Sequence, residues 1–187
     1  MQIMSRSIAL LAAAVLSAGA DTAAQPVQVP PSTVTITVTQ MGVPVDAAFT
    51  KFHASIDFDP AHPASASAQF TIDVASLDLG DAEYNREILK PAWLDAVRFP
   101  TATFTSTSLK TLSPTQIEAT GKITIKGIAR DVRFPVAVKD SGKNRSYDGV
   151  VRIHRTDFRL GTGEWQATDV VADEVVIKVH AVTATGK

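Results

Sequence analysis

The residues that could do chemistry are few and scattered. The four histidines, His53, His62, His154 and His180, show none of the close pairings on one element face that metal sites use. His53, His154 and His180 fall instead on the polar faces of predicted strands, where solvated imidazoles are expected. Asp57 and Asp59 in "IDFDP" share a strand face and could form a carboxylate pair for acid and base work. The plainer reading is that Asp59 and Pro60 end a strand. The densest polar group is "RIHRTDFRLGTGEW", where Arg152, His154, Arg155 and Arg159 surround Asp157. Guanidinium groups gathered at the end of a sheet could bind a phosphate, a carboxylate or a quinone oxygen. The alternative is an outward strand face followed by a turn, with Arg and Asp paired at the surface, and this is the expectation adopted. No Gly-x-Ser-x-Gly elbow, phosphate-binding loop or dinucleotide fingerprint occurs. "NRS" at Asn144 matches a glycosylation acceptor, a pattern common by chance.

The elements that must position these residues are almost all strands. "TVTITVT" places Val34, Ile36 and Val38 on one face and threonines on the other, the pattern of a half-buried strand. A longer strand is expected from about Ala48 to Phe58, with Phe49 out of phase and hence a bulge near its start. Phe70, Ile72 and Val74 mark a third strand. Strands resume with "TATFTSTS", "IEATGKITIK", "DVRFPVAV", "YDGVVRIHR" and "EVVIKVHAV". Between them "LGDAEYNREILKPAWLDAVRFP" lacks period two. There Asp81 can cap a short helix to about Leu89, and Pro91 ends it or opens a second helical turn through Trp93, Leu94 and Val97.

The predicted fold is therefore all-β: eight mostly consecutive antiparallel strands with one short helical insertion. Closure into a barrel removes both sheet edges and is preferred over a sandwich. Eight strands leave an interior that side chains just fill or that holds one small ligand. Ala54, Ala102, Ser106, Ala119 and Gly121 sit among the apolar faces, so an elongated cavity and a filled core both remain open.

The 187-residue chain carries a net charge of -1. Residues 1–20 read as a signal peptide: Arg6, an apolar run from Ile8 to Leu16, then Ala18 and Ala20 before the cleavage point. A retained N-terminal anchor is the alternative. Removing those residues takes away Arg6 alone among the charges and leaves -2, which gives no electrostatic footprint for nucleic acid. With no cysteine, stability rests on burial, without disulfides or thiolate metal sites. Residues 21–32 form a Pro-rich lead-in to a single domain spanning 33–187.

"FTKFHASIDFDP", "IDVASLDLGDAEYNREILKPAWLDAVRFPTATFTSTSLK", "ATGKITIKGIARDVRFPVAV" and "VVRIHRTDFRLGTGEW" together resemble the YceI-like family of lipocalin-type polyisoprenoid-binding proteins. "FPTATFTSTS" followed by "GKITIKGIARDVRFPV" is the most specific part. The resemblance implies a lipocalin-like barrel around an apolar tunnel, periplasmic location, and an isoprenoid chain such as a quinone tail or polyprenyl phosphate as cargo. It also implies a separate membrane b-type cytochrome as partner for any redox role. The chain departs from the family in two places. "EYNREILKPAWLD" lacks the Arg-Asp-x-His-Leu pattern, and Arg159 stands where relatives often have Gly after Asp-Phe.

The expected function is a carrier, not an enzyme, with no cofactor apart from a bound isoprenoid lipid or quinone. Its expected ligand-binding residues are Phe52, Ile56, Phe70, Ile72, Phe104, Ile123, Phe134, Val136, Ile153 and Val179, with Trp93 and Phe99 near one end. Two alternatives stand beside it. One is an enzyme acting on the ligand's head group through Arg152, Arg155 or Asp157. The other is a filled structural barrel that binds a protein partner.

Overall fold

The computed structural model describes residues 24–28 and 31–185; the expected signal peptide lies outside them. Side chains alternate across a strand, so each period-two run commits one face inward. The strands are β1 (Gln25–Pro26), β2 (Thr33–Gln40), β3 (Val43–Phe49), β4 (Phe52–Asp57), β5 (Ser67–Asp73), β6 (Leu77–Asp78), β7 (Thr101–Ser113), β8 (Gln116–Ile125), β9 (Ile128–Ser141), β10 (Asn144–His154) and β11 (Val171–Ala184). All join one sheet in the order β1-β4-β5-β7-β8-β9-β10-β11-β2-β3-β6. Every pairing is antiparallel. The sheet curls on itself as an all-β barrel. From β7 to β11 it is a simple meander, and β11 then pairs with β2, bringing the first long strand beside the last.

The strand count exceeds the expected eight for two reasons. β1 and β6 have two residues each, too short to show a period. The single strand expected over 48–58 is two strands, with Thr50 and Lys51 turning the corner between them. Phe49 is out of phase because it ends β3 while Phe52 begins β4. Since β3 and β4 sit near opposite ends of the sheet order, this corner crosses the barrel seam. It is held by Thr50 N–H donating to the Ser76 carbonyl, Asp73 N–H donating to the Lys51 carbonyl, both at 3.1 Å, and Lys51 N–H donating to Ser76 Oγ at 3.0 Å.

The lead-in stitches the seam at another point. β1 pairs with β4, Gln28 N–H donates to the Val182 carbonyl at 2.8 Å, and Val182 N–H donates to the buried Ser32 Oγ at 2.9 Å. Backbone groups that would be orphaned at a sheet edge are satisfied this way.

The helical insertion is α1 (Ala82–Glu87), and Asp81 caps it by accepting N–H bonds from Glu83 and Tyr84. After Pro91 the chain makes turns, not a second helix: Trp93 N–H reaches the Lys90 carbonyl and Leu94 N–H the Ile88 carbonyl.

Several surface carboxylates are tuned by local bonds. Arg145 Nε donates to Asp140 at 2.5 Å, and its guanidinium also reaches the Phe58 carbonyl at 3.0 Å, tying the β9–β10 hairpin to the end of β4. The hydrogen bond from Arg145 lowers the Asp140 pKa. The hydrogen bond with His62 lowers that of Asp59, and the one from Asn85 lowers that of Asp78. A depressed carboxylate contributes stability that is complete above its unfolded value of about 3.9 and is lost as pH falls through the folded value. Denaturant midpoints are therefore expected to hold from pH 7 to about pH 5 and to drop below about pH 4. Asp140→Asn should flatten that acid limb in urea titrations.

Candidate ligand cavity

Inside the barrel lies a cavity of about 420 Å³, within the size range of small-molecule sites. Its walls are the inward residues of β2 to β11, nearly all aliphatic or aromatic. Two glycines give the large rings room to approach the sheet closely. Phe104 leans on Gly121, where a Cβ would stand 2.8 Å from Phe104 Cε2 and 2.4 Å from the Thr105 carbonyl oxygen. Phe134 leans in the same way on Gly149. Phe104 contacts both Phe70 and Phe134, with ring centroids 6.5 and 5.6 Å apart. Ala102 and Ala119 also line the space, whereas Ala54 packs in the core and Ser106 Oγ accepts the Ala68 N–H.

One end of the cavity is closed by Leu109, Ile117, Ala119 and Ala181, all buried. At the other, the lining residues open to solvent are Gly80, Asp81 and Tyr84, so the mouth lies beside α1. The polar lining residues Gln40 and Glu87 belong to the same region, and Trp93 and Trp165 cover it with ring centroids 5.8 Å apart. The 84–99 segment contributes Tyr84, Glu87, Ile88, Trp93 and Leu94 to the lining. It is fastened by Gly161 N–H to the Ala92 carbonyl at 2.8 Å and by Lys126 Nζ to the Pro91 carbonyl at 2.7 Å.

Of the residues expected to contact a ligand, Ile56, Phe70, Ile72, Trp93, Phe104, Ile123, Phe134, Val136, Ile153 and Val179 line this cavity. Phe52 and Phe99 do not. Phe52 starts β4 at the corner and is buried against Val34 and Ile72. Phe99 is turned away by the bond from its N–H to the Asp95 carbonyl; its ring covers Gly127 and lies 5.5 Å from the Arg98 guanidinium. Ile36, Val151 and Ile177 line the walls too and share the inward parity of the strands already read.

The arginine-rich stretch behaves differently from expectation. Arg152 is on the outer face, 3.5 Å from Glu174, Asp157 is exposed, and Arg159 takes a left-handed φ of 53°. Arg155, expected at the surface, is 1% exposed. It borders the inner end of the mouth. Its guanidinium donates to the carbonyls of Leu160, Gly161, Trp165, Ala167, Val171 and Ala172 at 2.7 to 3.2 Å and lies 5.6 Å from the Trp93 ring. Burial lowers its pKa, yet a guanidinium stays protonated in proteins. The loop from Arg155 to Val171 is thus wound around one cation. Parity is the available signal, since Arg155 is in phase with the buried Val151 and Ile153.

The histidines sit in solvent-facing positions: His62 beside Asp59 at 2.8 Å, His154 beside Asp173 at 3.3 Å and His180 beside Asp148 at 2.6 Å. Among the described residues no cluster of three His, Cys, Asp or Glu could hold a metal. Asp59 makes a turn by accepting the Ala61 N–H at 2.9 Å, beyond the end of β4.

The class these features define is an antiparallel barrel wrapped around a largely apolar cavity, with its charged lining residues Asp81, Glu87 and Arg155 near one end. The sequence profile of the YceI-like domain matches residues 27–183, and the chain belongs to the YceI-like family. Protein YceI of Salmonella arizonae is 28% identical over 140 residues, 72% of each chain. The crystal structure of Burkholderia cenocepacia BcnA superposes with a TM-score of 0.82 at 47% identity, covering 84% of this chain and 99% of that one. A polyisoprenoid binding domain from Saccharophagus degradans shares the fold with a TM-score of 0.70 at 13% identity, covering 87% of this chain and 99% of that domain.

Proposed function

We propose that the chain is an exported carrier that encloses a long isoprenoid, or a lipid chain of similar length, within the barrel. The observation that carries this reading is the cavity, lined almost wholly by apolar side chains and opening at a mouth beside α1. Each buried methylene contributes about 0.8 kcal/mol, so a tail of many carbons binds well without an exacting polar site. The name of the Saccharophagus domain, polyisoprenoid-binding, supports the same class of cargo. The leader-like 1–20 segment of the sequence supports a periplasmic location. Carriage is favoured over catalysis on the head group because Arg155, the arginine nearest the cavity, spends its N–H donors on backbone carbonyls.

A chain-length series tests this. Delipidated protein titrated with quinones of one to ten isoprene units should bind each longer tail more tightly until the cavity is full, then level off. Affinity independent of tail length would refute carriage inside the barrel.

A further inference from the structure

The carrier reading leaves the head group open, and the mouth constrains it. We infer that the mouth selects lipids with an uncharged head group, such as a quinone or a polyprenol, over polyprenyl phosphates; this rests on the carrier reading above. Among the described residues the walls beyond the mouth carry no charged side chain and are nearly all apolar, and taking an ionised group into them without a partner is costly. Any polar end must therefore stay among the polar lining residues near α1.

Those residues carry the wrong sign for a phosphate. Asp81 and Glu87 contribute carboxylates. Asp81 has two helix N–H partners, and Glu87 is paired with Lys90, which lies outside the lining. Arg86 is on α1 and also outside it. The lining's one cation among the described residues is Arg155. It has five N–H donors, and six carbonyl oxygens already take them. A phosphate could recruit this guanidinium only by unwinding the loop built on it. Gln40, Tyr84 and Trp165 remain at the lining as uncharged donors, suited to a carbonyl or hydroxyl oxygen. Repulsive groups set against the wrong ligand give specificity as readily as contacts with the right one.

The test uses the delipidated secreted chain and two ligands with identical tails, a polyprenol and its monophosphate, in competition against one bound quinone at pH 7.5. The polyprenol should bind at least about tenfold tighter, the scale of one or two like-charge contacts near a surface. Asp81→Asn combined with Glu87→Gln should narrow that gap, and the side-chain amide introduced at the first position keeps an oxygen for the helix cap. Equal or tighter binding of the phosphate would overturn the inference while leaving carriage intact. An unchanged gap in the double variant would overturn the role of these carboxylates. Failure of quinone, polyprenol and phosphate alike would overturn the carrier reading and the inference with it.

Discussion

Replacing Arg155 with alanine is expected to lower folding stability by about 4–5 kcal/mol, the upper range for single substitutions. The change strips donors from six carbonyl oxygens in one stroke. It also leaves a void at a site 1% exposed and takes the cation from beside Trp93. Hydrogen bonds to charged groups contribute about 1.5–3 kcal/mol each, but part of the loop can relax toward water, so the sum is not reached. Domains are stable by only about 5–15 kcal/mol in total. At this chain length the melting temperature should fall by roughly 10–20 °C. Arg155→Lys should recover little, because an ammonium has three donors and no planar fork. A loss under about 1 kcal/mol in urea denaturation would mean that the loop is held by other contacts.

The second large effect is expected at Ala119, which lines the closed end of the cavity and is 3% exposed. In Ala119→Phe the added ring points into open volume. The fold should therefore survive, unlike an overpacked core, where extra methylenes cost about 1–3 kcal/mol. The ring would exclude about one isoprene unit of cargo. Four or five methylene equivalents at about 0.8 kcal/mol each amount to roughly 3–4 kcal/mol, or a 10²- to 10³-fold loss of affinity for a tail long enough to reach that end. Unchanged stability with a steep loss of long-tail binding, measured by titration, is the expected pair of results. Unchanged affinity would place the lipid elsewhere.

The sequence makes the barrel legible where strands are long. In β8 and β10 the inward residues alternate without a break, and the inward positions of Ile123 and Ile153 follow from parity alone. Parity fails where a strand turns a corner: Phe49 and Phe52 belong to different strands, and only the phase error at Phe49 hints at it. Two-residue strands such as β6 have no period to read. Phe99 shows another limit, since a local turn onto Asp95, set by hydrogen bonds rather than by hydropathy, decides where its ring goes. Arg155 misleads because residue type outweighs position in the reading. An arginine in phase with Val151 and Ile153 is inward, and a loop rich in free carbonyls can satisfy it. Nothing in the sequence marks Gln40, Asp81 and Glu87 as neighbours at a mouth; the topology alone brings them together.

The central claim is that the barrel carries a lipid in its cavity, and native mass spectrometry of the purified chain, followed by lipid extraction, tests it most directly. The account predicts a single added mass at one-to-one stoichiometry that extracts as an isoprenoid or similar long-chain lipid and is lost in Ala119→Phe. A chain that purifies empty and takes up neither quinone nor polyprenyl lipid when these are supplied would contradict it.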